Sequence, residues 1–172
     1  MAILMIILRL VHILCGVFWA GGTFLMAGFV TPAVVATGPE GQKFMQQLGL
    51  RSQFSAWMGL MAVLTSLSGL LLYWAVSGFR LGWITSGYGL SMTIGGIAGL
   101  AAFGHGSSTQ FRTTQKMKAL ARDMAAAGGP PKPEQIAQMQ AMAASQARNG
   151  RVLAIILAVA LVGMSAAQYV SF

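Results

Sequence analysis

The chain has 172 residues, of which 56% are hydrophobic and 8% are charged, and its formal net charge at pH 7 is +8. Soluble domains carry about 25% charged residues, so this composition excludes an ordinary soluble fold. The single cysteine, Cys15, excludes an intrachain disulfide and a cysteine-based metal cluster.

Apolar stretches that are long enough to cross a bilayer occur at 3–30, 54–76, 88–105 and 152–170. Each offers about the 20 apolar residues that a hydrocarbon core of about 30 Å requires. We expect the first stretch to be a retained helix rather than a signal peptide, because no basic residue precedes it and Arg9 and His12 interrupt it. The sequence therefore predicts an all-α polytopic membrane protein, a four-transmembrane-helix bundle that forms one membrane domain over 1–172.

Basic residues predict which way the helices point. Nine of the eleven Lys and Arg residues lie within 31–53 and 104–151. Short loops rich in Lys and Arg stay on the cytoplasmic side, so we expect a bacterial inner membrane protein with both termini periplasmic and the 104–151 loop cytoplasmic. This topology and attraction to anionic lipid account for the net charge. The lipid bilayer is thus an expected partner, and no nucleic acid is.

Two helical patterns follow the third span, at 107–127 and 134–149, on either side of a Gly-Gly-Pro-Pro-Lys-Pro break at 128–133. We expect the third and fourth helices to continue into the cytoplasm as an antiparallel helical hairpin over 107–149; a loose polar loop is the alternative. Such a hairpin offers a surface to other membrane protein subunits or to a second copy of the chain.

Small residues on the spans favour close helix contact. Gly95 with Gly99, Gly163 with Ala167, and Gly16 with Ala20 are pairs of small residues four positions apart. We expect these pairs to hold the bundle together.

The acidic residues argue against ion-coupled transport. All three, Glu40, Asp123 and Glu134, fall in segments expected to be cytoplasmic, whereas coupled transporters and pumps usually place carboxylates inside the membrane. The sequence also contains no Ser-His-Asp set, phosphate-binding loop or zinc motif. No catalytic residue is therefore predicted, and an enzyme is not favoured.

The most promising candidate site is one face of the first helix, where Arg9 and His12 are continued by Gly16, Trp19 and Thr23. An ionisable residue inside a span indicates function by default. Two interpretations stay open for each of the two ionisable residues, Arg9 and His12. Arg9 either extends to the outer headgroups or pairs with a haem propionate. His12 is either a neutral imidazole bonded to a neighbouring group or an axial ligand of haem b or of a metal ion.

Methionines supply the expected second ligands. Met92 and Met164 are predicted to lie at the same depth in the membrane as His12, toward the outer ends of their spans. His105 is predicted to lie at the cytoplasmic end of its span, far from that depth. Methionine beside histidine suits haem and also cuprous copper. The candidate cofactor-binding residues are thus His12, Arg9, Met92, Met164 and Trp19. Of these, His12, Met92 and Met164 are candidate metal ligands, with haem b favoured over copper.

The run Arg9-Leu10-Val11-His12, followed by Gly16, Trp19, Gly21 and Gly22, resembles the first helix of CopD-like (copper resistance D-like) bacterial membrane proteins. The stretches Ser68-Gly69-Leu70-Leu71-Leu72-Tyr73-Trp74 and Thr93-Ile94-Gly95-Gly96 are similar to the same group, in an uncharacterised branch. The resemblance implies a four-helix membrane fold and copper handling. Through the HemJ type of protoporphyrinogen oxidase, it also implies haem binding by a first-helix histidine, which here is His12.

Three functions are compatible with these residues. The first is a small accessory or structural subunit of a larger inner-membrane complex, without catalysis of its own. The second is a b-type haem-binding electron-transfer protein that uses His12. The third is copper binding or transport.

Overall fold

The computed structural model describes residues 2–51 and 53–170, and all regular structure within them is helical. The α-helices are α1 (Ala2–Leu25), α2 (Thr31–Thr37), α3 (Pro39–Gln46), α4 (Phe54–Ser77), α5 (Leu81–Ile84), α6 (Gly87–His105), α7 (Arg112–Ala126) and α8 (Pro133–Ala166). The other helical elements are three π-helical turns and one 3₁₀ turn. The π turns are at Met26–Val30, Gln47–Arg51 and Gly106–Phe111, and the 3₁₀ turn is at Ala167–Tyr169. The all-α prediction is confirmed for this part of the chain. The predicted domain of 1–172 also includes Met1, Ser52, Ser171 and Phe172, which lie outside the described residues.

Three helical segments are long and apolar enough to cross a membrane: Ala2–Thr37, Phe54–Ser77 and Pro133–Tyr169. They correspond to the first, second and fourth predicted spans. Helix α6, which covers the predicted third span, is not among them, because glycine recurs along it and contributes little hydropathy.

The first helix is longer than predicted. The helical path continues from α1 through the π turn at Met26–Val30 into α2 and ends at Thr37, seven residues beyond the expected end. Pro32 has no N–H to donate and would be expected to interrupt an α-helix. Local π turns can re-satisfy backbone groups that a proline frees, and this one directly precedes the turn that contains Pro32. Gly38, with φ of 60°, then ends the segment.

Helix α8 joins two segments that the sequence separates. It runs without interruption from Pro133 to Ala166, through both the predicted arm at 134–149 and most of the predicted fourth span. The non-helical connection before it is short, and Gly128 there has φ of 66°. Three hydrogen bonds link the segment before α8 to α8. Gln146 Nε2 donates to Thr114 Oγ1 (2.6 Å) and to the Gln110 carbonyl (3.4 Å), and Gln110 Nε2 donates to the Gln146 carbonyl (3.0 Å).

The long helices pack as two close pairs, α1 with α4 and α6 with α8. The predicted small-residue positions lie at these contacts: Gly16 faces Thr65, and Gly95 faces both Gly163 and Met164. The hydroxyl of Tyr73 on α4 lies 2.7 Å from Thr93 Oγ1 on α6 and links the pairs. All four helices meet in one buried cluster that contains Trp19, Ala20, Ala62, Ala102, Leu153 and Leu157. The described helices therefore form a bundle.

An aromatic cluster closes the end of the bundle where α4 turns into α6. The ring of Trp83 makes edge-to-face contacts with Tyr73 and Tyr88, at centroid separations of 5.4 and 5.8 Å. These contacts join the end of α4 to the beginning of α6.

Gly95→Ala should weaken the α6–α8 contact. A Cβ atom at Gly95 would lie 2.9 Å from the Met164 backbone nitrogen and 3.0 Å from the Ala160 carbonyl oxygen, so backbone would have to move. We expect the free energy of unfolding to fall by about 1–3 kcal/mol. The measurement is helical circular dichroism of the purified protein during denaturant titration.

Gly96→Ala is the matched control. A Cβ at Gly96 meets nothing within 4 Å, so only helix propensity changes, and stability should rise by up to about 1 kcal/mol. Equal losses in both variants would show that the α6–α8 contact is not as close as described.

Candidate functional site

His12 lies in the contact between α1 and α4. Its Nδ1 atom is 2.9 Å from the carbonyl oxygen of Thr65, and its half-buried ring rests on Gly69. A Cβ at Gly69 would come within 2.7 Å of the imidazole Cε1. The imidazole therefore occupies a space that exists because residue 69 has no side chain.

The hydrogen bond to Thr65 determines the tautomer of the neutral ring. A carbonyl oxygen only accepts, so Nδ1 carries the proton and donates it. The lone pair of the neutral imidazole then lies on Nε2. Histidines that ligate metals usually donate their other ring N–H to a carbonyl or carboxylate in this way. The same bond also satisfies a purely structural histidine, which is the other interpretation given for His12 above.

The hydroxyl groups beside His12 are bonded to their own helix. Thr65 Oγ1 donates to the Met61 carbonyl (2.7 Å), and Ser68 Oγ lies 2.6 Å from the Leu64 carbonyl and 3.1 Å from that of Thr65. Ser68 Oγ is also 3.5 Å from His12 Nδ1. The bond from Nδ1 to the Thr65 carbonyl therefore orients the ring, and Ser68 Oγ is a more distant neighbour.

The residues that continue the predicted face of α1 after His12 pack inside the bundle. Gly16 lies against Thr65 one turn after His12, and Trp19 is 6% exposed in the central cluster. Thr23 is buried, and its hydroxyl donates to the Trp19 carbonyl (2.8 Å). Trp19 thus packs the bundle core.

Arg9 lies one turn before His12 and is exposed. Within residues 2–51 and 53–170 it makes no ion pair, since the one salt bridge there joins Lys43 to Glu40. Its guanidinium is therefore available either to headgroups or to a bound anionic group.

The two candidate methionine ligands lie on the other helix pair. Met164 packs against Gly95 in the α6–α8 contact. Met92 is on α6 between Ser91, whose hydroxyl donates to the Gly163 carbonyl (2.7 Å), and Thr93, which bonds Tyr73. Tyr73 lies about one turn after Gly69, the residue of α4 on which the imidazole rests. Among the described residues, no group of three or more His, Cys, Asp or Glu side chains is arranged to hold a metal ion.

His105 is the last residue of α6 and is half-buried. Its Nε2 atom is buried and has no hydrogen-bond partner in the described part of the chain. Its carbonyl accepts the Thr109 hydroxyl (2.6 Å) in the π turn at Gly106–Phe111. Nothing in the sequence around His105 predicts that this ring atom is buried.

Comparisons with known proteins assign no family. No protein-family model matches the chain, and no curated protein or solved structure is significantly similar to it. The CopD-like resemblance therefore stays a prediction that depends on the residues quoted for it.

Gly69→Ala should displace the imidazole of His12. The added methyl would overlap the ring, so we expect a loss of about 1–3 kcal/mol in the free energy of unfolding. In a His12→Ala background the overlap is gone, and the cost of Gly69→Ala should fall. Denaturant unfolding of the four proteins of this cycle measures the coupling, which we expect at about 0.5–3 kcal/mol.

Gly59→Ala provides the control on the same helix, because a Cβ there meets nothing within 4 Å. It should show no coupling to His12→Ala. A coupling of zero for Gly69 would mean that the ring does not rest on that glycine.

Proposed function

We propose that this chain is a small integral subunit of a larger bacterial inner-membrane complex and has no catalysis of its own. In this proposal α6 is the third of four spans, and both termini are periplasmic. Helix α7 and the first half of α8 form a cytoplasmic helical hairpin. The basic residues concentrated within 104–151 support this orientation.

The observation that carries the proposal is the lack of a core in the hairpin. None of the described side chains of α7 is buried, and the buried side chains of α8 begin only at Leu153. Helices in proteins depend on tertiary packing for most of their stability, and two arms of this length bury little against each other. Another protein that covers them would supply the missing contacts.

An open groove between α7 and α8 supports the proposal, because it offers a surface on which such a partner could pack. Its lining combines apolar and charged side chains: Lys116, Ala119, Leu120, Asp123, Gln138 and Met142. A floor of Ala, Leu and Met with a charged and polar rim is the usual composition of a protein interface. The proposed partner is another subunit or a second copy of this chain.

Leu120→Glu should release that partner. A carboxylate in the apolar floor would have to be desolvated on association, which costs enough to lower affinity by about tenfold or more. Gentle detergent extraction of native membranes, affinity purification and native mass spectrometry should show a stoichiometric partner with the wild-type chain and not with Leu120→Glu.

Gln115→Glu adds the same charge at an exposed position of α7 that does not line the groove, and it should retain the partner. Recovery of the wild-type chain as a stable lone monomer would contradict the accessory-subunit proposal.

A second candidate function is b-type haem binding, and the tautomer of His12 favours it. With Nδ1 bonded to Thr65, Nε2 is the atom that would ligate a haem iron, and Arg9 would pair with a propionate. Bound haem would supply one-electron transfer. The chain's own contribution would be to orient the imidazole through Thr65 and Gly69.

Under this second proposal, protein purified from haem-replete cells should show a Soret band that His12→Ala abolishes. His105→Ala removes the other histidine and should leave the band unchanged. Absorption spectra of the three proteins at equal concentration make the comparison. A colourless wild-type protein, or a band that survives in His12→Ala, would eliminate haem ligation by His12.

A further inference from the structure

The groove between α7 and α8 carries opposite charges at its two ends. Its floor is apolar, with Leu120 and Met142 half-buried there. Lys116 and Asp123 are exposed on its rim, and the seven residues of helix between them place them about 10 Å apart along α7. Neither takes part in an ion pair within the described part of the chain. Both charges are therefore available to a molecule that occupies the groove.

The order of these charges along the groove follows from how α7 and α8 pack. Helix α7 leaves the bundle at its beginning, where Thr114 accepts a hydrogen bond from Gln146 of α8, so Lys116 lies at the end nearer the bundle. Asp123 lies two turns farther away, and Glu134 in the first turn of α8 is at the same far end. No other basic residue of the described chain lines the groove. The groove is thus positive toward the bundle and negative toward its tip.

The groove also lies well outside the apolar part of α8. That part begins at Val152, and Met142 and Gln138 of the groove precede it by ten and fourteen residues of unbroken helix. These residues are therefore about 15 and 21 Å along the helix from Val152. The headgroup layer on each side of a bilayer is less than about 10 Å thick. With α8 across the membrane, the floor of the groove is out of reach of lipid acyl chains, which favours a protein as the occupant.

A second copy of this chain does not match the charges. Two copies in one membrane point the same way, so a symmetric contact through the grooves would place Lys116 level with Lys116 and Asp123 level with Asp123. Like charges that face each other across an interface oppose binding. Besides Asp123 and Glu134, the chain has one acidic residue, Glu40, which already pairs with Lys43 (2.8 Å). No other segment of the chain therefore offers an unpaired carboxylate to Lys116.

We propose that the groove binds an amphipathic helix of a different subunit. This helix carries an acidic side chain opposite Lys116 and a basic side chain about two turns away, opposite Asp123. Its apolar face covers Leu120 and Met142, and the charges at its edges set its direction and register. The inference rests on the proposed function, because it identifies by its chemistry the partner that the same groove would bind.

Cross-linking from the groove identifies the occupant. Gln138, an exposed residue of the groove, is replaced by p-benzoylphenylalanine in the full chain, and native membranes are irradiated. Mass spectrometry should find a cross-linked peptide from a different protein, with an acidic and a basic residue about seven positions apart and apolar residues between them. Leu120→Glu should lower the yield of this product about tenfold. A cross-link to lipid or to a peptide without this charge pattern overturns the inference.

Charge reversal separates a matched helix from general attraction to a basic surface. Asp123→Lys adds positive charge, so it would increase the yield with any acidic molecule, but it should repel the basic side chain of the proposed helix. Lys116→Glu should repel the acidic side chain. We expect each variant to lower the cross-link yield about three- to tenfold. A higher yield with Asp123→Lys would assign the groove to an acidic ligand and overturn the inference.

Matched controls introduce the same side chains elsewhere on α7. Ala125→Lys and Arg122→Glu change exposed positions that do not line the groove, and both should leave the yield unchanged. Equal losses in these controls would show that position on the helix does not matter and would overturn the inference. Helical circular dichroism checks that each variant is folded, and the cross-link of the wild-type background decides the identity of the occupant without them.

Two results separate this inference from the proposed function. A dimer of this chain that Leu120→Glu dissociates would leave the chain a subunit of an assembly and would overturn only the different-subunit helix. The absence of any cross-linked or co-purifying protein would overturn both.

Discussion

Several hydroxyl groups on the long helices are satisfied by the helix that carries them, and the packing of the bundle depends on this. Thr23, Thr65 and Thr93 each donate to the carbonyl four residues earlier. In hydrocarbon an unpaired hydroxyl or backbone group costs several kcal/mol, so these bonds remove the polar cost before helices meet. Association of the helices then depends on how closely their backbones approach each other. Gly95 and Gly163 bring the backbones of α6 and α8 together.

The hydrogen bond of His12 crosses from α1 to α4, as those of Tyr73 and Ser91 cross from α4 to α6 and from α6 to α8. Such a bond requires the two backbones to be near enough for an imidazole to reach a carbonyl, which is possible because Gly69 lacks a side chain. The contact serves the structure by joining two helices, and it presents Nε2 in a defined direction. A structural bond and a ligand role are therefore compatible in the same ring.

Periodicity and composition predicted which residues face the bundle but not what they meet. The α1 face that carries His12 and Gly16 could be predicted from the helical repeat, as could the glycine contacts of α6 and α8. The partner of His12 could not, because Thr65 contributes only its backbone carbonyl, a group that every residue has. The separation of His12 from Met92 and Met164 also depends on how the two helix pairs are staggered. The length of the first helix was underestimated because a π turn lets it pass Pro32.

The three π turns occur where long helices meet their connecting segments. At Met26–Val30 and Gly106–Phe111 the helical path continues directly into the next helix instead of ending in a loop. At Gly106–Phe111 the turn joins α6 to α7, and Gln110 within it and Thr114 beyond it both bond Gln146 of α8. Because π turns change the direction in which the following side chains point, this one sets which face of α7 meets α8 and which face turns Lys118 toward Ser55. The position of α7 is therefore fixed from two sides, by α8 and by the start of α4. This restraint fixes the groove between α7 and α8 relative to the rest of the bundle, which a flexible loop of the same length would not do.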